Sequence, residues 1–588
     1  MSKIFPFRAM YFNPDYVKDY ARIVAPPEFH ADSIDEIYRL KNENEFNIYN
    51  MLEPLYLGKF PQPASNSKKN IGEKTRKFQL DKMRSIDFDE HFSEIAKKYA
   101  GWLETGKIFR DEKPGFYVYE RDFWDAKAKT MRRKRSLLAL MSLEDPEEGT
   151  IKFGYKPDEE EIEQAFRLMK ITFSQFSPVI MGYSDPKNSV ETLLKQVDNT
   201  RPPIFTFDEE GFFHSLHFIH DEGIIDALQK IFNDFSFGII EGAHTYIAAY
   251  KFMQEMKRLE NLGSGTETVY NVFVNMIALD NDEYTEIKPA VKVLTREDAQ
   301  KFKKRDLSKQ TILRFSSAAT QRFLRKNVQT DADEKTADAK DRPVDPDNID
   351  AEDEIVVDAS SESSKSVFSP SFIASSCETL GIEHQTFDWQ GDLDTVRKVQ
   401  TDLNHDNFVK QAVMFLPTEN KYIILKINNE DTLRSILPGR RNLKTDKLDI
   451  NVFWRSFLSR LFIGFDDDKH SMNLWSIDQL STLIENAENN WETNTKLESN
   501  VEFAAIDNQN LRTQPSYLLS SKDINENLKS SGMFMIFKKP DAKEFSTLLL
   551  EGVKNSRQVY RLLNVPYIGL ISYRMDMSED ELEDDDEE

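Results

Sequence analysis

Between Gln329 and Lys365 the chain carries 13 acidic side chains against 4 basic ones, set among Ser, Ala and Pro with few large apolar residues. Such a stretch cannot bury enough surface to offset the entropy of ordering it, so it reads as a disordered linker. It divides the sequence into an N-terminal region (1–328), the acidic linker (329–365), a C-terminal region (366–576) and an acidic tail (577–588). A length of 588 residues independently argues for more than one core. The flanking regions have the material to fold, since aromatics make up 12% of the chain, with 42 Phe and 20 Tyr.

The net charge of −24 is mostly local. The linker contributes nine negative charges, and nine of the last ten residues, Glu579 to Glu588, are acidic, which leaves about −6 on the remaining body. Duplex nucleic acid is therefore not an expected partner, because no basic stripe with interleaved aromatics offsets that charge. The run Arg132-Arg133-Lys134-Arg135 stands alone and reads as a solvated lead-in to a strand. A single cysteine, Cys377, excludes a disulfide framework and a multi-thiolate zinc site within one chain. With no apolar run of signal-peptide or membrane-span length, the expected location is the cytoplasm, with no membrane partner.

Periodicity predicts a mixed α/β (α+β) fold on both sides of the linker. Phe92, Ile95, Ala96, Tyr99, Trp102 and Leu103 recur at helical spacing, as do Ile224, Ile225, Leu228, Ile231, Phe232 and Phe235. Ser33 and Glu36 form a candidate capping box for a helix through Ile37 and Leu40. Runs at Gly115–Tyr119, Ser136–Leu143, Phe237–Ile240 and Val269–Leu279 read as strands. Beyond the linker, Tyr422–Ile427 and Met533–Phe537 read as strands. Val452–Phe462, with Asp449 as its cap, and Glu544–Lys554 read as helices.

Chemistry concentrates in the stretch from Phe237 to Tyr250, where an apolar strand runs into Glu241 and Gly242 and then into a helix. The first amides of a helix lack intrahelical partners and the macrodipole favours negative charge there, so such a junction can bind an anion. Gly242 admits close approach of a ligand, and Glu241 could act as a base or hold a cation beside a phosphate. Equally, Glu241 or Thr245 could cap the helix while His244 packs. His214, His217 and His220 share a three-residue spacing that suggests a metal site, yet their segment alternates like a strand, placing His217 opposite the other two.

Glu241-Gly242-Ala243-His244-Thr245-Tyr246 resembles the Asp-Gly-His-His-Arg-Tyr hallmark of the prokaryotic family called domain of unknown function 1015. Phe7-Arg8-Ala9 with Val24-Ala25-Pro26-Pro27 resembles its opening, and Asn44-Glu45-Phe46-Asn47 its Asn-Pro-x-Asn segment. Phe116-Tyr117-Val118-Tyr119-Glu120, Phe176-Ser177-Pro178-Val179 and Tyr183-Ser184-Asp185-Pro186 follow in the family's order. That family in turn is similar to the free serine kinase and ParB group, in which the same strand-turn-helix junction holds nucleotide phosphates. The resemblance implies ligand contacts at Glu28, Gly242, His244, Thr245 and Lys292, Glu241 as the candidate catalytic group, and a nucleotide with Mg if the site is active.

The departures fall on polar residues. Glu28-Phe29 stands where the family has Tyr-Asp, and Phe153-Gly154-Tyr155 where it has Pro-His-Glu. Pro289-Ala290-Val291-Lys292 replaces Pro-Thr-His-Arg, and the segment from Val565 to Ser572 replaces Met-Pro-x-Lys-Ser-Thr-Tyr-Phe. Residues that shape the backbone persist, while those that bind phosphate or move protons are lost. The expected function is a pseudoenzyme that binds a small molecule or a protein partner. The alternative is a free amino acid kinase, a small-molecule phosphotransferase using ATP or ADP at a rebuilt site.

Overall fold

The computed structural model describes residues 3–25, 34–56, 88–125, 129–198, 202–209, 212–258, 268–280, 287–295, 302–305, 307, 368–405, 410–437, 448–465, 472–474, 531–552, 555, 559–562 and 565–575. The acidic linker, the acidic tail, Glu28 and Ser33 lie outside the described residues. The fold is mixed α/β throughout. The described residues gather into two compact units. The larger takes those up to Ala290 and from Lys539 onward, and the smaller those from Val291 to Ile484 and from Pro515 to Lys538. These are not the stretches marked out by the acidic segment, because strand pairing joins residues far apart in sequence.

The larger unit is built on a nine-stranded sheet. Its strands in chain order are β1 (Ile4–Phe5), β2 (Phe116–Asp125), β3 (Thr130–Ser142), β4 (Lys152–Phe153) and β5 (Val179–Tyr183), followed by β6 (Phe205–Glu209), β7 (Phe212–Ile219), β8 (Phe237–Glu241) and β9 (Asn271–Ala278). In space they run β4-β8-β5-β9-β3-β2-β7-β6, with β1 added beside β3. The β4–β8 and β5–β9 pairs are parallel and the others antiparallel. The four runs expected as strands in this half are β2, β3, β8 and β9, and the three expected helices are Ile34–Glu43, Phe88–Glu104 and Glu222–Phe232. Asp221 starts the latter by accepting the Ile224 amide at 3.1 Å, as Asp158 accepts the Glu160 amide at 2.9 Å for the helix Glu159–Thr172. That helix packs along the helix Ala243–Arg258. A second sheet joins Ile108–Arg110, Met10–Phe12, Ile571–Arg574 and Ser174–Gln175, tying residues near both ends of the described chain together.

The run Arg132-Arg133-Lys134-Arg135 is not a solvated lead-in. On alternate positions of β3, Arg135 and Arg133 meet Glu120, with Nε of Arg135 2.5 Å from Glu120 Oε1 and Nη1 of Arg133 3.2 Å from Oε2. Arg135 also reaches Glu191 at 2.6 Å, and its side chain is 6% exposed. The physical reason is pairing: β2 brings a buried carboxylate opposite Arg135, and a buried charge is retained only when compensated.

In the smaller unit, β10 (Val291–Thr295), β11 (Glu383–Asp388), β12 (Lys410–Leu416), β13 (Lys421–Ile427), β14 (Met472–Leu474) and β15 (Ser531–Phe537) form an antiparallel sheet in the order β11-β13-β12-β15-β10-β14. Phe415 and Phe534 stack across it at 4.6 Å beside Trp389. The helix expected at Val452–Phe462 is a π-helix over Asn451–Phe457 followed by an α-helical turn, Leu458–Leu461. Apolar spacing over so short a segment does not separate the two periods. Asp449 accepts the Gln411 amide at 2.5 Å and pairs with Lys410 at 3.4 Å, so its carboxylate joins the helix to the sheet. Among the described residues no helix is long and apolar enough to cross a membrane.

Candidate functional site

Strand β8 ends at Glu241, and the chain turns through Gly242 at φ +80° into the helix Ala243–Arg258. A side chain at Gly242 would also come within 3.2 Å of the Val179 Cα, so glycine is required here by both backbone angle and space. The junction expected from the sequence therefore exists. Its polar groups, however, meet other parts of the same unit.

The Ala243 amide donates to the Tyr155 hydroxyl at 3.2 Å. Tyr155 belongs to the segment where the resemblance expects Pro-His-Glu, and the segment is pinned beside β8 by the Gly154 amide on the Ile239 carbonyl at 3.0 Å. Asn555 closes it from the other side, its amide donating to the Gly154 carbonyl at 2.9 Å. Glu241 is 5% exposed, and its Oε1 accepts the Leu562 amide at 3.1 Å. His244 is fully buried, with Nε2 3.1 Å from the Thr245 hydroxyl. Phe153 packs edge-on against Tyr246 at 5.4 Å. The Tyr246 hydroxyl accepts the Glu144 amide at 2.8 Å, and burial raises its pKa above the usual tyrosine value.

The opening segment and the replaced C-terminal element meet. Ala25 and Ile568 exchange two backbone hydrogen bonds of 3.0 Å each. Asn47 clamps the approach, its Nδ2 donating to the carbonyls of Arg22 at 3.0 Å and Val24 at 3.1 Å. Next to Ile568, the Tyr567 amide donates to the Tyr119 hydroxyl at 3.1 Å, and that hydroxyl lies 2.7 Å from His214 Nδ1. Glu28, three residues after Ala25, lies outside the described residues.

Glu241, Gly242, His244 and Thr245 thus share one junction in the larger unit, whereas Lys292 is on β10 of the smaller unit, 1% exposed, with Nζ 5.9 Å from the Trp454 ring centroid. His214 and His217 point to opposite faces of β7, one to Tyr119 and the other to Glu120 at 3.3 Å. Among the described residues no cluster of three or more His, Cys, Asp or Glu could hold a metal ion. The junction is a poor fit to a nucleotide's phosphates, because the Ala243 amide already meets a hydroxyl and Glu241 already accepts an amide. Tyr155 escapes a reading by motif, because only the fold brings it to the Ala243 amide.

No curated protein and no solved structure matches the chain. The family model described as "Protein of unknown function (DUF1015)" matches residues 4–369, more than half of the sequence, and the chain belongs to that family.

Proposed function

We propose that this is a non-catalytic ligand-binding or interaction protein of the cytoplasm, keeping an enzyme-like frame without the polar set that phosphoryl transfer needs. The observation that carries the reading is the Tyr155 hydroxyl on the Ala243 amide, which occupies a donor that a phosphate would use. Phosphoryl transfer depends on clustered cations and positioned donors, and loss of one such donor typically lowers a rate by about 10² to 10³. The hydrogen bond from Leu562 to Glu241 and the apolar replacements after Pro289 and Pro566 argue the same way. The partner is a small molecule or a protein, since the modest charge outside the acidic segments disfavours nucleic acid.

Calorimetry of the full chain with ATP, ADP and free amino acids, each with and without magnesium, tests this. Binding without product is expected; turnover of ATP or ADP to a phosphorylated small molecule would overturn it. A second reading, a phosphotransferase with a site rebuilt around Glu241 and His244, draws support from the retained left-handed turn at Gly242. On that reading Glu241→Gln abolishes turnover without unfolding the chain.

A further inference from the structure

One face of the nine-stranded sheet gathers polar side chains that the junction does not use. Tyr119 lies opposite Ser136, Arg121 lies opposite both Lys134 and His214, and Asn275 lies opposite Leu138 and Ile180. Directly opposed residues share a face, and residues two apart on a strand return to it. Asn275, Ser136, Tyr119, Arg121, Lys134 and His214 therefore line one face across the neighbouring strands β9, β3, β2 and β7. The contact between Tyr119 and His214 agrees with that placement.

All six are buried, Asn275 at 0% and Ser136 at 5% exposure. Among the described residues, neither amide atom of Asn275 nor the Ser136 hydroxyl has a hydrogen-bond partner. Burying an amide unsatisfied at both ends is destabilising, and native interiors rarely tolerate it. Such a group points to a partner supplied from outside the chain. Diagonal neighbours on adjacent strands, such as Asn275 and Ser136, are about 7–8 Å apart, within the reach of one small molecule. Positive charge lies one row further along the same face, at Arg121 and Lys134. The Arg121 guanidinium is steadied 3.5 Å over the Phe212 ring, and His214 stacks on Phe207 at 4.6 Å.

We propose that this face binds a small polar organic anion. Its carboxylate or phosphate turns toward Arg121 and Lys134, and a group able to both donate and accept hydrogen bonds meets the Asn275 amide. The site rests on the ligand-binding reading above and gives it a location. Ser136 bridges the two ends of the ligand. Tyr119 is a positioning residue, held by the Tyr567 amide.

The test combines native mass spectrometry of the purified full chain with thermal-shift titrations using inorganic phosphate, O-phospho-L-serine, L-glutamate, citrate and ADP. At least one organic anion should raise the melting temperature of the wild type. Its Kd should increase at least tenfold in both Asn275→Leu and Arg121→Met. If Arg121→Met fails to fold, Ser136→Ala replaces it, with the same direction expected. The site is overturned if a stabilising anion binds the variants as well as the wild type. It is equally overturned if no organic anion stabilises the wild type and the native mass is that of the bare chain, which would leave a buried water at Asn275. Turnover of ATP with weakened binding in the variants would instead overturn the non-catalytic reading and leave this site standing.

Discussion

The hydroxyl of Tyr155 accepts the amide of Ala243 at 3.2 Å, so the helix after the Gly242 turn begins against a side chain 88 positions earlier in the chain. Removing that hydroxyl leaves a buried helical donor without its acceptor. Tyr155→Phe should lower stability by about 1–3 kcal/mol, read as a lower urea midpoint with an unchanged slope. No loss would mean that the amide finds another acceptor and that the tyrosine does not plug the junction.

Glu241 should tolerate one change and not another. Gln keeps an acceptor for the Leu562 amide, whereas Ala removes it. Glu241→Ala is expected to cost about 1–3 kcal/mol and Glu241→Gln about 1 kcal/mol or less. Denaturant titration of the two variants side by side checks the order, and equal losses would count against the structural role assigned to the carboxylate.

Two glycines are fixed by backbone angle as well as by space. Gly242→Ala must hold φ near +80° and approach Val179, at a cost of about 1–3 kcal/mol. Gly569→Ala should cost more, because at φ +102° its new carbon would sit 2.8 Å from the Ile48 Cβ and 3.1 Å from the Ile23 carbonyl. Melting temperatures of the two variants report the ranking.

Arg135→Met leaves Glu120 buried with weaker compensation, from Arg133 at 3.2 Å and His217 at 3.3 Å. Breaking a buried pair from one side costs about 3–5 kcal/mol, and the remaining partners favour the lower end. Chemical denaturation of Arg135→Met and of the double variant Arg135→Met/Glu120→Gln separates the two contributions. The double variant should recover part of the loss.

Burial pushes the Cys377 thiol up to about 12. A thiol that stays neutral in the fold while the unfolded chain ionises contributes stability in full below the ordinary thiol value near 9. That contribution is lost as pH rises from there toward 12, because the unfolded state then holds fewer protons. The native chain should therefore resist alkylation by iodoacetamide at pH 8 and react once denatured. Rapid native labelling would contradict the burial.

Much of the local structure was legible because it is written in short-range periodicity. The alternation from Ser136 and the spacing of Phe92, Ile95, Tyr99 and Trp102 identify a strand and a helix without knowledge of what they touch. The turn at Gly242 was likewise visible, since an apolar strand, an acid and a glycine stand next to each other. What those residues bind was not. The partners of Glu241 and Ala243 are Leu562 and Tyr155, brought in by sheet order that no local pattern encodes. The basic run at Arg132 is opaque for the same reason: alternation gives its faces, but only the pairing of β2 with β3 reveals Glu120. Asn275 sits inside a run that reads correctly as a strand, and only its neighbours across β3 and β5 reveal an amide with no partner among the described residues.

The pairing of Met10 with Ser572 also sets a schedule for synthesis. A ribosome adding about 5–20 residues per second needs on the order of a minute between those two positions. Throughout that interval the early strand has Ile108–Arg110 on one side and nothing on the other, so this sheet cannot be completed while most of the chain is still being translated. The strand's second edge is covered only after Ile571–Arg574 has been made.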